Sequence, residues 1–131
     1  EIAMGESVRS YHSFVEYARH GVDHLQPGNA RMWSVGENMR VARLAREKGL
    51  RLSGGGFTFQ HVVRGALYGP DAMIEYHQPI MEPLLPYFSV VSEARDGRFY
   101  LPETPGLPVK MNFDKLARDG LLDAVLLKKR K

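Results

Sequence analysis

GVDHLQPGNARMWSVGENMRVARLAREKGLRLSGGG, running from Gly21 to Gly56, reads as strand, loop, helix, strand. Val22 to Gln26 is a short, half-apolar run that Pro27 and Gly28 break. Ser34 and Glu37 have capping-box spacing: the hydroxyl satisfies a first-turn amide and the carboxylate reaches back to the cap. Val41, Ala42, Leu44 and Ala45 make an apolar stripe, while Arg40, Arg43, Arg46 and Lys48 occupy the other side. Gly49 sits where a left-handed helix end wants glycine. Leu50 to Ser53 is then a second short strand. Two strands joined through a helix pair in parallel, with a right-handed crossover.

The same pattern extends in both directions. Ile2 to Met4 is a stub of apolar strand, with Gly5, Glu6 and Ser7 at its C-terminal end. Tyr11, Phe14, Val15 and Ala18 fall at i, i+3, i+4 and i+7, so Ser10 to His20 is an amphipathic helix that Gly21 ends. After Gly54-Gly55-Gly56, Thr58 caps a third helix with the stripe Phe59, Val62, Val63, Ala66 and Leu67, ended by Gly69. Ala72 to Tyr76 is the fourth strand. Helix, glycine and short strand thus recur at Gly21, Gly49 and Gly69, a repeat of architecture and not of sequence. Alternating strands and helices imply an α/β fold, a parallel sheet covered by helices. Strands this short suit a (β/α) barrel better than an open doubly wound sheet, and four of them make half of an eight-stranded barrel. The chain is therefore expected to be a C-terminal piece, or one of several chains, of a larger barrel protein.

From Pro79 the texture changes. Pro79, Pro83 and Pro86 argue against helix, although Ile80, Met81, Leu84 and Leu85 are apolar enough to pack. Phe88 to Val91 and Phe99 to Leu101 flank a turn at Asp96-Gly97, a hairpin signal. PETPGLPV, Pro102 to Val109, reads as a rigid extended loop, and Asp114 to Arg118 as a short helix stopped by Gly120. Residues 1–78 are expected to form the partial barrel of four strands and three helices. Residues 79–131 form a C-terminal extension with hairpin, loop, short helix and basic tail.

The 131 residues suffice for one domain with a real core. There is no cysteine, which excludes disulfide and thiolate chemistry and leaves the cytoplasm as the default compartment. No apolar run is long enough to span a membrane. The net charge of +3 owes much to Lys128, Lys129, Arg130 and Lys131, read as a solvated tail. No basic groove with interleaved aromatics appears elsewhere, so neither nucleic acid nor membrane is an expected partner.

The ordered set AMGES, VDHLQPG, LAREKGL, MIEYH and DGRFYLPETPGLPV resembles the enolase superfamily, in the C-terminal barrel domain of its mandelate racemase and muconate lactonizing branch. The resemblance covers Ile2 to about Leu121. It implies the C-terminal half of a (β/α)7β barrel whose earlier strands and N-terminal capping domain lie outside this chain. Members bind Mg²⁺ and abstract a proton next to a carboxylate, giving an enolate that the metal stabilises. A carboxylate substrate such as a sugar acid is implied, with the remainder of the barrel or other chains as partners and a homo-oligomer as the assembled form.

Glu6 follows a strand at the barrel mouth, where such folds place function. Read alone it is a capping or salt-bridged Glu; the resemblance makes it the third carboxylate ligand of Mg²⁺, a hard cation that takes oxygen donors. Glu75 ends the fourth strand. The resemblance gives it the role of an acid hydrogen-bonding the substrate carboxylate, and the rival reading is a strand-end Glu paired with an arginine. Strand alternation sends Tyr76 away from Glu75 and brings His77 to the same side. Asn29 and Arg31 are the polar residues available where some members carry a lysine, and with His77 they are the substrate-binding candidates. Two departures stand out. The family's general-base His should fall within Gly54 to Phe57, where the sequence is GGGF, and the Asp that orients it should fall near Gly28. Both are absent, which argues against a racemase with two opposed bases. His61 reads as exposed or structural. Gly54 to Gly56 before a helix invites a phosphate-loop reading, but the lysine and hydroxyl residue of such loops are missing. His12, His20 and His24 form no metal-spaced cluster. The leading expectation is a Mg²⁺-dependent acid-sugar dehydratase. The alternatives are a racemase or cycloisomerase of the same branch and a non-catalytic half barrel that has lost the His–Asp dyad.

Overall fold

The computed structural model describes residues 1–28, 31–32, 34–54, 65–101, 103, 105–106 and 109–122. Four short strands, β1 (Ala3–Met4), β2 (His24–Leu25), β3 (Arg51–Gly54) and β4 (Met73–Ile74), form one sheet in the order of the chain, and every pairing is parallel. Helix α1 (Tyr11–Arg19) links β1 to β2, and α2 (Val35–Lys48) links β2 to β3. Residues 65–68, helical as well (α3), precede β4. All four expected strands are present; β1, β2 and β4 are shorter than expected, and β3 is shifted by one residue, losing Leu50 and gaining Gly54.

Register decides which side chains share a face. Met4, Leu25 and Leu52 lie in register on the helix-covered side. There Leu25 is fully buried with Phe14 of α1 and Val41, Leu44 and Ala45 of α2, joined by Met32. Fully burying each large apolar side chain of such a cluster is worth about 1.5–3 kcal/mol. Ala3, His24 and Arg51 share the opposite, concave face. Ser53, two residues on from Arg51, and its partner Met73 continue that face.

The cap of α2 differs from expectation in one half. Ser34 Oγ accepts from the Glu37 amide at 3.3 Å, as the spacing predicts. The Glu37 carboxylate turns away from the cap. It accepts the Tyr11 amide at 2.9 Å and pairs with Arg40 at 2.8 Å, while the Arg40 guanidinium lies 4.0 Å from the centre of the Tyr11 ring. The reason is local: Ser10 supplies no side-chain cap to α1, so the first amide of that helix is left for Glu37. That bond holds the Glu37 carboxyl below its ordinary range. Gly49 ends α2 in the left-handed conformation, φ 65°.

Asn38 is buried in α2 and fully used. Its amide nitrogen donates to the Met32 and Ser34 carbonyls at 3.0 and 2.8 Å, and its oxygen accepts the Tyr68 hydroxyl at 2.6 Å. One side chain thereby fastens the β2–α2 loop to α2 and α2 to α3.

The extension departs further from the sequence reading. Gln78–Met81 is helical (α4) and runs into a 3-10 helix, Glu82–Tyr87. Pro79 and Pro83 stand in the first turn of each, where the missing amide hydrogen costs no bond. The Asp96-Gly97 turn is correct, with φ 51° and 70° as a two-residue hairpin turn requires. Its strands, however, are β6 (Glu93–Arg95) and β7 (Arg98–Tyr100). The run β5 (Phe88–Val91) pairs instead with β8 (Val109–Met111), antiparallel. Helix α5 (Phe113–Arg118) is capped by the Asn112 side chain, which accepts from the Lys115 amide at 3.0 Å. Of the expected PETPGLPV loop, Glu103, Pro105, Gly106 and Val109 are described, and Val109 opens β8. Thr58, Phe59, His61, Val62, Val63, Gly55 to Phe57 and Lys128 to Lys131 lie outside the described residues.

β1 and β4 each have one sheet neighbour, and both show exposed apolar side chains, Ile2 and Met4 beside one and Met73 on the other. Such edges offer unpaired backbone to a further strand.

Replacing Asn38 by alanine removes its bonds to the Tyr68 hydroxyl and to the Met32 and Ser34 carbonyls. Urea unfolding of Asn38→Ala is expected to show a loss of about 1–3 kcal/mol, the scale of hydrogen bonds lost from a buried polar side chain. An unchanged midpoint would refute the role given to this amide.

Candidate functional site

Because the four strands are parallel, their C-terminal ends lie along one edge. Glu6 comes two residues after β1, Gly28 three after β2, Gly54 ends β3 and Glu75 directly follows β4. The edge therefore carries carboxylates at its two outer strands and glycine at its two inner ones.

Glu6 is exposed, and among the described residues its carboxylate makes no hydrogen bond or ion pair. Its backbone is closely held. Gly5 is buried with φ 128°; a Cβ there would overlap the Phe14 ring and stand 3.2 Å from the Gln26 carbonyl oxygen. On the other side, a Cβ on Gly28 would overlap the Glu6 carbonyl oxygen and lie 3.0 Å from the carbonyl carbon. The loop leaving β2 thus rests directly on the backbone of Glu6.

Glu75 is half-buried, and its amide reaches the Gly54 carbonyl at 3.4 Å. Its Oε1 is 3.1 Å from His77 Nε2. That nitrogen is itself buried and the approach is misaligned for a hydrogen bond, so the contact is one of charge when His77 carries a proton. Tyr76 points the other way and meets Phe99 edge-on, ring centres 5.6 Å apart. The side-chain alternation expected over residues 75–77 is therefore present. Arg31 is exposed on the β2–α2 loop, its amide bonded to the Gly28 carbonyl at 3.3 Å. Asn29 lies outside the described residues. The structure thus joins Glu75 to His77, and Glu6 to the loop that bears Arg31.

Sequence reasoning missed the polar concave face. His24 Nε2 is 2.8 Å from Ser53 Oγ, and Arg51 pairs with Glu1 at 2.8 Å. Burial, and then the Arg51 charge, push the His24 imidazole below its ordinary value of 6.5, against a smaller opposing pull from Glu1. The signal was in the register, since the His of VDHLQ alternates with a core leucine, but a partner on another strand is invisible in one run. His12 and His20 are exposed. No group of three His, Cys, Asp or Glu side chains converges as a metal site among the described residues, and no helix among them is long and apolar enough to cross a membrane. A cleft of about 1260 Å³ lies between β4 and the β6–β7 hairpin and touches Met73, Tyr76, Arg98 and Phe99. It reaches neither Glu6 nor Glu75, so its size says nothing about the chemistry of the edge.

The enolase C-terminal domain-like model matches residues 1–115. No curated protein matches the chain. A mandelate racemase/muconate lactonizing enzyme from Polaromonas sp. JS666 is 31% identical, with a TM-score of 0.71 over 88% of this chain and 31% of its own. An L-talarate dehydratase from the same organism, complexed with Mg and L-glucarate, is 32% identical, with a TM-score of 0.69 over 84% of this chain and 30% of its own. A racemase from Streptomyces coelicolor A3(2) with bound magnesium, 24% identical with a TM-score of 0.71 over 89% of this chain and 31% of its own, shares the fold. The chain spans under a third of the length of each. The α/β half barrel read from the sequence is the fold they have in common.

His24 sets a pH dependence whose sign is fixed. Its folded pKa is lowered, so the unfolded chain binds the proton more readily, and the stability it contributes is full above 6.5 and lost as the pH falls through the folded value. Urea unfolding between about pH 7 and about pH 5 should show falling stability in the parent protein and a shallower fall in His24→Gln. Equal slopes would mean that His24 does not carry the effect.

Proposed function

This chain belongs to the enolase C-terminal domain-like family, and we propose that it supplies half the mouth of a Mg²⁺-dependent lyase, an acid-sugar dehydratase that removes a proton α to a carboxylate. The observation that carries the reading is the placement of Glu6 and Glu75 after the first and last of four parallel strands, on one edge. The likeness to an L-talarate dehydratase that binds Mg and L-glucarate supports the substrate class.

Glu6 is proposed as one Mg²⁺ ligand. An exposed carboxylate with no partner among the described residues has the donor chemistry a hard cation takes. One carboxylate is not a site, so further ligands come from outside this chain. Bound Mg²⁺ would offset the negative charge that develops on the substrate carboxylate. Glu75 is proposed as the acid that donates a hydrogen bond to that carboxylate, which requires the proton to sit on Glu75 rather than on His77 beside it. Arg31, Asn29 and His77 are proposed to hold the polar groups of the substrate. Gly28 and Gly54 offer no side chain at the two inner strand ends, so the group that takes the proton also lies elsewhere in the barrel. Residues 1–78 as partial barrel and 79–131 as its extension belong to the same reading, with the remainder of the barrel, or other chains, closing the two sheet edges.

A second reading is a half barrel without catalysis. It draws on Gly28, where the backbone of Glu6 occupies the space a catalytic side chain would need. A racemase or cycloisomerase finds less support, because it asks for bases at the ends where glycine stands.

The test uses the full protein, Mg²⁺ titration calorimetry and a dehydration assay on a panel of sugar acids. Glu6→Gln should weaken Mg²⁺ binding and abolish turnover, since a neutral amide is a poorer ligand. Glu75→Gln should keep the metal and slow turnover by about a hundredfold or more, as loss of an oxyanion donor does. Unchanged Mg²⁺ affinity in Glu6→Gln would remove the metal assignment. No turnover of any acid by intact, Mg²⁺-loaded protein would move the conclusion to the non-catalytic scaffold.

A further inference from the structure

We infer that the β6–β7 hairpin positions Glu75: Phe99, set against Tyr76, fixes the strand end from which the Glu75 carboxyl is presented. The inference rests on the reading of Glu75 as the acid at the substrate carboxylate and adds the pair that aims it.

Glu75 leaves a short strand. The β3–β4 ladder joins Ser53 to Met73 and Gly54 to Ile74. The next backbone bond, from the Glu75 amide to the Gly54 carbonyl, is 3.4 Å long, beyond the usual range of about 2.7–3.2 Å. The chain then turns at once. The Gln78 amide reaches the Tyr76 carbonyl at 3.1 Å, and the His77 carbonyl accepts the Ile80 and Met81 amides at 3.0 and 2.9 Å as α4 begins. Residues 75–77 thus link a two-residue strand to a four-residue helix, and elements this short are not rigid by themselves. Side chains have to hold the link. Downstream, Met81 is buried. On the link itself, Tyr76 meets Phe99 edge-on, with ring centres 5.6 Å apart and planes at 61°, an arrangement aromatic pairs favour. Successive side chains leave an extended chain on opposite sides, so a shift of the Tyr76 ring turns the Glu75 carboxyl.

The hairpin keeps its half of the contact in place. Asp96 and Gly97 take the positive φ of a two-residue turn, 51° and 70°, which fixes Ala94 opposite Phe99 and Arg95 opposite Arg98. On the face away from Phe99, the Arg95 guanidinium lies 4.2 Å from the centre of the Tyr100 ring. Of residues 93–100 only Phe99 is withdrawn from solvent, so this ring is the anchor of the hairpin. A contact that served stability alone would change the midpoint of unfolding and have no particular effect at Glu75.

The test uses the full Mg²⁺-loaded protein, with turnover measured on the sugar-acid panel, L-glucarate included, and amide resonances of residues 75–77 followed by NMR. Phe99→Ala is expected to move those resonances and to lower kcat by about tenfold to a hundredfold, the scale on which about an ångström of misplacement acts. Phe99→Tyr, which keeps the ring, should restore both, and Arg98→Ala, on the opposite face of the hairpin, should match the parent. In a Glu75→Gln background Phe99→Ala should slow turnover no further; equal slowing in both backgrounds overturns the positioning role. Unmoved resonances in Phe99→Ala, or parent-like kcat where Glu75→Gln is slowed, also overturn it and leave the acid reading standing. Parent-like turnover in Glu75→Gln, or none by the parent on any acid, removes the acid reading and this inference with it. Should Phe99→Ala fail to fold, Phe99→Leu, which keeps an apolar side chain and loses the aromatic edge, is read in the same way. Failure of both to fold makes Phe99 a scaffold residue and overturns the proposal.

Discussion

Parallel pairing of β2 with a neighbour on each side is the constraint from which the remaining geometry follows. A parallel neighbour cannot be reached by a tight turn, so each crossover must run back along the sheet as a helix. The helices need an apolar face beneath them, and the register of Met4, Leu25 and Leu52 provides it. Every strand then ends on the same edge, and whatever follows those ends is gathered there without further design. Glu6, Gly28, Gly54 and Glu75 share one edge because of strand direction, although they span most of the described barrel sequence.

What was legible in one sequence follows from how local each signal is. The helix stops at Gly21 and Gly49 were readable because a positive φ is a property of the residue itself, and both glycines adopt it. The stripe of α2 was readable because 3.6-residue periodicity is contained in the helix. The partner of Glu37 was not, since the competing donor is the Tyr11 amide of another helix, freed by the absence of a side-chain cap at Ser10. β5 was assigned to the nearest later strand, whereas its partner lies beyond the β6–β7 hairpin. Pro79 and Pro83 read as helix breakers in sequence, yet each falls in the first turn of its helix, where a proline is harmless; Pro86 stands inside the 3-10 helix. In the candidate site, the strand-end carboxylates were legible from motif order. The contact between residues 6 and 28 and the His24–Ser53 bond were not, because each needs the register of two strands.

The concave face shows how polarity is kept affordable inside a barrel-type sheet. Side chains there would ordinarily be branched and apolar. Here His24 is bonded to Ser53, and Arg51 to Glu1, so each polar group meets another across adjacent or nearby strands. A neutral imidazole suits this arrangement, because desolvation and the nearby guanidinium both disfavour its charge. Moving towards the C-terminal edge, the face passes from these satisfied pairs to Glu75 with His77, and then to Glu6, whose carboxylate has no partner among the described residues. Polar groups low on the face thus pair with one another across the strands.

The two glycines at the inner strand ends then acquire a physical meaning that their lack of side chains hides. Gly54 is buried and closes a strand whose last carbonyl receives the Glu75 amide, so it serves the backbone of one carboxylate. Gly28 is buried against the backbone of the other. At Gly28 even a Cβ would overlap the Glu6 carbonyl oxygen. The sheet itself stays open at β1 and β4, where Ile2, Met4 and Met73 are exposed beside backbone that a further strand can pair with.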